Sequence, residues 1–141
     1  MKNKNNVVYN GLLYRVQEYS PNNKGHIYET EYYQAWSKSL DGISNVTNYC
    51  GNVLLIRCNA KNGIDVFELL IFFLKYNYIT HCDDFHQPKE LARYEYEQEV
   101  EFPMLFKYIT DVTIIEKEQI LNWEKMKIEV PIEKWRRNKL N

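Results

Sequence analysis

Residues 94–103 read Tyr-Glu-Tyr-Glu-Gln-Glu-Val-Glu-Phe-Pro, and the alternation within this stretch decides the fold class. Side chains two apart in a strand share a face. A strand over Tyr94–Phe102 therefore carries Glu95, Glu97, Glu99 and Glu101 on one side and Tyr94, Tyr96, Val100 and Phe102 on the other. Carboxylates about 7 Å apart repel by only ~0.6 kcal/mol in water, so the row is tolerable on a solvated face. Lining a cleft, the same row can stabilise a developing cation and orient an acceptor. Both readings stand at this point.

Working outward, Pro103 marks a break before a second strand, Leu105 to Ile115. Upstream, residues 81–93 form a polar connector containing Pro88, and Phe67, Leu70, Ile71, Leu74 and Tyr78 recur at helical spacing. That helix is apolar on most sides and is expected to be well buried. Val53 to Cys58 (VLLIRC) reads as a buried strand, Asn62-Gly63 as a turn, and Ile64 to Val66 as another short strand. Val7 to Val16 reads as a strand or a short hairpin around Asn10-Gly11, and Ser20 to Gly25 is turn chemistry. Ile27 to Tyr33 is ambiguous, Ala35 to Ser37 reads as a short strand, and Ser39 caps a helical turn from Leu40 to Val46. Downstream come a helix over Glu116 to Lys127 and an edge strand over Ile128 to Ile132, where Pro131 is tolerated. The fold class is therefore a β-rich, single-domain α+β protein. Its folded core spans residues 7–132, between a polar N-terminal tail and a basic C-terminal tail.

Composition narrows the function. The 141 residues are 45% hydrophobic and 26% charged, enough apolar surface for one core and too little chain for two. A net charge of −1 leaves no overall positive field to announce a nucleic-acid partner. Cys50, Cys58 and Cys82 form no C-x-x-C, and His26, His81 and His86 have no ligand spacing, so no metal is expected. The longest apolar run, Leu69 to Leu74, is six residues, against the roughly 20 that a membrane helix needs. Met1 to Asn6 is polar, unlike a secretory leader. A soluble cytoplasmic protein with no membrane partner is the expectation.

Two further features carry possible chemistry. Arg15 sits in an apolar and aromatic strand, where a guanidinium needs an anionic partner, a phosphate or carboxylate ligand, or an exit to solvent. Trp36-Ser37-Lys38-Ser39 follows Tyr28, Tyr32 and Tyr33, and reads either as core with a capping serine or as part of a site.

In chain order, Tyr14-Arg15, Trp36-Ser37-Lys38-Ser39 and Glu97-Gln98-Glu99-Val100-Glu101-Phe102-Pro103 resemble the Arg–Ser–Glu signature of the ADP-ribosyltransferases. Val53 to Val66 is similar to that family's middle strand, turn and Gly-Ile-Asp-Val segment, so the resemblance spans about residues 12 to 115. Two departures are Lys38, where the family usually has Thr, and the inserted segment 67–93. The resemblance implies two small sheets around an NAD cleft and transfer of ADP-ribose from NAD. It implies that Glu99 stabilises the ribose cation, Glu97 orients or deprotonates the acceptor, Arg15 holds the NAD phosphates, and Ser37 fixes the nicotinamide side. Tyr14 and Trp36 become the flanking aromatics, and an upstream tyrosine or Trp36 stacks on nicotinamide. The implied acceptor is a protein arginine or a nucleic acid. Small members of this kind occur in phages and toxin–antitoxin systems, which adds an antitoxin or inhibitor protein as partner. The competing reading is a non-catalytic phage, immunity or anti-defence protein that buries a tyrosine-rich surface on its target.

Overall fold

The apolar run Val53–Cys58 lies in the central strand of the protein, whose computed structural model describes residues 6–19, 26–46, 51–81, 97–122, 129–130 and 136–137. The strands are β1 (Val8–Glu18), β2 (Ile27–Tyr28), β3 (Thr30–Ser37), β4 (Asn52–Asp65), β5 (Glu99–Met104), β6 (Ile109–Glu116), β7 (Glu129–Val130) and β8 (Arg136–Arg137). The helices are α1 (Leu40–Val46) and α2 (Val66–His81), with 3-10 turns at Phe106–Tyr108 and Lys117–Asn122.

β4 organises the rest. One edge pairs antiparallel with β1 from Val8↔Ile64 to Glu18↔Val53. The other pairs with β6 over Asn52–Cys58 and then with β5 at Ile64↔Glu101 and Asp65↔Val100. β5 pairs with β3, and β3 returns to β1 through a single bridge, Tyr14↔Ser37. The ring β1–β3–β5–β4 is thereby closed, with β6 and β7 extending it outward. β2 and β8 form a separate parallel pair, which ties Arg136–Arg137 of the expected C-terminal tail to Ile27–Tyr28.

Both faces of β4 are covered, which is why its sequence reads as an unbroken apolar run. Leu54, Ile56, Cys58 and Ala60 join Leu13, Trp36, Val100, Phe102, Met104 and Val112 in one core cluster. Val53 and Leu55 face the other way, into a second cluster with Ile43 of α1, Ile115 and Ile120. Each fully buried aliphatic side chain contributes about 1.5–3 kcal/mol of transfer free energy.

Several expectations are corrected. Of the two readings of Val7 to Val16 the strand holds, as β1, whereas Asn62-Gly63 does not reverse the chain. The register moves from Tyr9↔Gly63 to Gly11↔Ala60, so β4 carries one extra residue there. Asn62 takes φ 65° in this bulge, and its N–H is accepted by the Asn10 side chain at 2.9 Å. The bulge absorbs the turn signal and β4 continues to Asp65. α2 spans Val66–His81 but lies on the surface: Phe72 and Tyr76 are each 60% exposed, because the sheet has already buried both of its faces. Pro103 lies inside β5, paired with Tyr33 beyond the point where β4 leaves β5, so its missing N–H forfeits no second ladder. Lys117–Asn122 is a 3-10 turn rather than the start of a helix, and Glu129–Val130 is an edge strand on β6. Residues 82–96 and 123–128 lie outside the described residues. Among the described residues no helix is long and apolar enough to cross a membrane.

Candidate functional site

Strand register assembles one row of polar side chains from five parts of the chain. Asp111 pairs with Arg57, Arg57 with Tyr14, Tyr14 with Ser37, and Ser37 with Glu99. Residues directly opposed in a ladder project to the same side. At about 4.8 Å per strand, Tyr14 and Glu99 stand roughly 10 Å apart across the row. Arg57 and Asp111 anchor one end by an ion pair, Nη2 to Oδ2 at 2.5 Å and Nε to Oδ2 at 3.0 Å. Burial opposes the Arg57 charge, but hydrogen bonding and attraction from Asp111, with Tyr14 assisting, hold the guanidinium above its usual range.

Arg15 sits where β1 and β3 part. The two strands share only the Tyr14↔Ser37 bridge, and beyond it the Ala35 carbonyl accepts Arg15 Nη1 at 2.7 Å. A side chain thus takes the place of a ladder bond, and the strands diverge as a fork with a cation at its base. Alternation turns Arg15 to the opposite face of β1 from Tyr14, and so away from the face that carries Ser37 and Glu99.

The most tightly specified part is the Glu97-Gln98-Glu99 segment. Glu97 precedes β5 and Gln98 adopts φ 53°, a left-handed conformation that costs a non-glycine residue roughly 1–2 kcal/mol. This corrects the continuous strand over Tyr94–Phe102: the turn at Gln98 takes Glu97 out of the alternation, and only Glu99 and Glu101 share a strand face. Glu95 lies outside the described residues. Three contacts hold the turn. Ser37 Oγ donates to the Glu97 carbonyl at 2.7 Å, the Lys38 N–H donates to the Gln98 carbonyl at 3.0 Å, and Ser37 closes the ladder opposite Glu99. Gly42 of α1 comes so close that a Cβ there would overlap both Ser37 Oγ and the Glu97 carbonyl oxygen. α1 is set against the turn by Ser39, whose Oγ accepts the Gly42 N–H at 3.0 Å as an N-cap.

Lys38 has a second partner. Its ammonium meets Asp65 Oδ2 at 2.8 Å, and the other oxygen of this buried carboxylate accepts the Glu68 N–H at 3.1 Å and caps α2. Lys38 thus links the Glu97–Glu99 turn to the start of α2. Asp65-x-x-Glu68 was a readable capping pattern. A glycine inside a seven-residue helix was likewise a sign of close packing at Gly42. The Arg57–Asp111 pair carried no sequence signal, because 54 positions separate its members.

Trp36 does not offer a face to a ligand. Its ring is 2% exposed within the first core cluster and its Nε1–H donates to the Phe102 carbonyl at 2.8 Å, which corrects its assignment as a stacking platform. Tyr14 is half-buried against the second cluster. Tyr28, Tyr32 and Tyr33 are exposed, and Tyr33 lies on the Ser37 side of β3 by alternation. No group of three or more His, Cys, Asp or Glu among the described residues is arranged to hold a metal ion. Scans of family models, of curated proteins and of solved structures find no match to this chain.

Proposed function

We propose that this protein is an NAD-dependent mono-ADP-ribosyltransferase acting on a protein arginine or a nucleic acid. The observation that carries the reading is the register Tyr14↔Ser37↔Glu99: three short motifs, 85 residues apart from first to last, meet on adjacent strands. Nothing in the local chemistry of any one motif requires that meeting.

In this reading the NAD cleft opens at the β1–β3 fork, beyond the Tyr14↔Ser37 bridge. Arg15 meets the pyrophosphate with its planar fork of donors. An exposed tyrosine, with Tyr33 the best placed, stacks on the nicotinamide ring. The bond between nicotinamide nitrogen and ribose C1′ breaks, its electron pair leaves with nicotinamide, and the ribose carries oxocarbenium character. Glu99 holds the 2′-hydroxyl and stabilises that cation. An acceptor nitrogen then bonds to C1′ and gives its proton to Glu97. The clamp from Ser37, Lys38 and Gly42 fixes the backbone that carries both acids before reaction, which limits the reorganisation needed as charge develops.

One observation favours the competing reading. Phe72, Phe73 and Tyr76 on α2, with Tyr28, Tyr32 and Tyr33, are all more than half exposed, a surface suited to burial on a target protein. Release of nicotinamide from NAD by purified protein, together with label transfer from NAD into protease- or nuclease-treated extract, separates the two. Absence of both release and labelling with the wild type would sink the transferase reading and leave the binding protein.

A further inference from the structure

A groove of about 620 Å³ crosses the end of the β4–β6 pairing, beyond Cys58↔Ile109. Its floor is β4 at Asn59–Lys61, with Asn10–Gly11 of β1 on one side and Lys107–Thr110 on the other. In a chain carrying 19 acidic against 18 basic residues, none of the residues lining it is acidic. Lys61 and Lys107 are both exposed, and neither is paired with a carboxylate among the described residues. Lys107 lies over the Tyr108 ring, Nζ 5.2 Å from its centroid, beside the groove. Asn10 and Asn59, both exposed, line the same groove with neutral amides.

We infer that this groove binds the sugar–phosphate backbone of a single-stranded nucleic acid. The volume matches a small-molecule site, but the groove is open and its polar lining, Asn10, Asn59, Lys61, Lys107 and Thr110, is exposed, whereas a site for a small ligand encloses most of its surface. An open channel with point charges and amides suits a strand passing through it, contacted mainly at phosphate. The inference rests on the groove alone. Only its corollary, that the strand is the acceptor rather than a protein arginine, rests on the transferase reading.

The test is fluorescence anisotropy with a short labelled oligothymidylate, repeated with the corresponding oligouridylate and across a salt series. Wild-type protein should bind, with the affinity falling as salt rises. K61A/K107A, both exposed substitutions, should keep the wild-type melting temperature, lose roughly tenfold or more in affinity, and reduce the salt slope by about 0.7 per lysine removed. Free AMP and polyglutamate serve as competitors. No binding by the wild type, or binding unchanged in K61A/K107A, would overturn the groove. Competition by AMP as strong as by the unlabelled strand would make it a mononucleotide site, and displacement of the labelled strand from polyglutamate-saturable sites on polyanion charge alone would remove nucleic acid as the partner. Because binding is read without NAD, a failure of catalysis leaves these outcomes unchanged, and a failure of binding leaves the Glu99 assay standing.

Discussion

Ser37 stands directly opposite Glu99 in the β3–β5 ladder while its hydroxyl donates to the carbonyl of Glu97 at 2.7 Å. One buried serine therefore fixes the backbone at both acids of the Glu-x-Glu turn, at Glu99 through the strand ladder and at Glu97 through its side chain. The positions of the two acids are consequences of the same strand end.

Gly42→Ala should loosen that turn. The added Cβ collides with Ser37 Oγ and with backbone at Glu97, and backbone cannot step aside as a flexible side chain would. Overpacking of this kind costs about 1–3 kcal/mol. Thermal unfolding should move down by several degrees, and label transfer should fall further than the stability loss alone accounts for. A variant with wild-type melting and wild-type transfer would mean that the turn is not held from α1.

Glu99→Gln should lower nicotinamide release about 10²–10³-fold with the fold intact, since the amide keeps the shape but not the charge facing the developing cation. Glu97→Gln should reduce transfer to the acceptor more than hydrolysis of NAD. Glu101→Gln, on the same face of β5 as Glu99 and paired instead with Ala35 and Ile64, is the internal control and should change little. Equal losses at all three positions would point to the general field of the strand rather than to specific roles.

Arg15→Lys should weaken NAD binding, because an ammonium cannot span the fork to the Ala35 carbonyl and also present two parallel donors to a pyrophosphate. Calorimetric titration with NAD measures this directly. Identical affinities for wild type, Arg15→Lys and Arg15→Ala would remove Arg15 from the site.

Lys38→Met should destabilise the protein by about 1–3 kcal/mol, since it leaves the Asp65 carboxylate, 4% exposed, without its cation. One end of the pair reaches solvent, which keeps the loss toward the lower end. Adding Asp65→Asn removes the stranded charge and retains an oxygen to cap α2, so the double variant should regain much of the loss. Strictly additive losses in denaturant titration would show that the two residues do not act as a pair.

Cys58 should resist thiol reagents in the native state. Burial pushes its thiol up to about 12 from 9.0 and leaves almost no thiolate near neutrality. With Cys50 and Cys82 changed to Ser, reaction should require unfolding. The folded state keeps its proton longer than the unfolded one, so this group's stabilisation is complete below pH about 9 and is lost as pH rises toward about 12. Rapid labelling of the folded protein at pH 8 would contradict the burial.

The sequence by itself determined the β-rich α+β class, the buried run at Val53–Cys58, and the Ser39 cap of α1. Each depends on side chains a few residues apart, where periodicity and hydrogen-bond reach are local properties. The motifs around Arg15, Ser37 and Glu99 were equally readable as separate pieces. Their meeting was decided by tertiary structure alone: β1 leaves β3 after one bridge, and β5 closes the ring from the other side. The helical spacing of α2 was also visible, but its exposure was not, because periodicity reports an apolar stripe and not whether a sheet face remains to receive it. At Asn62-Gly63 and at Gln98 the outcome hung on single backbone dihedrals. The first let a strand run on through a bulge and the second broke an alternation that looked continuous, because neighbouring strands supplied hydrogen bonds that no local pattern encodes.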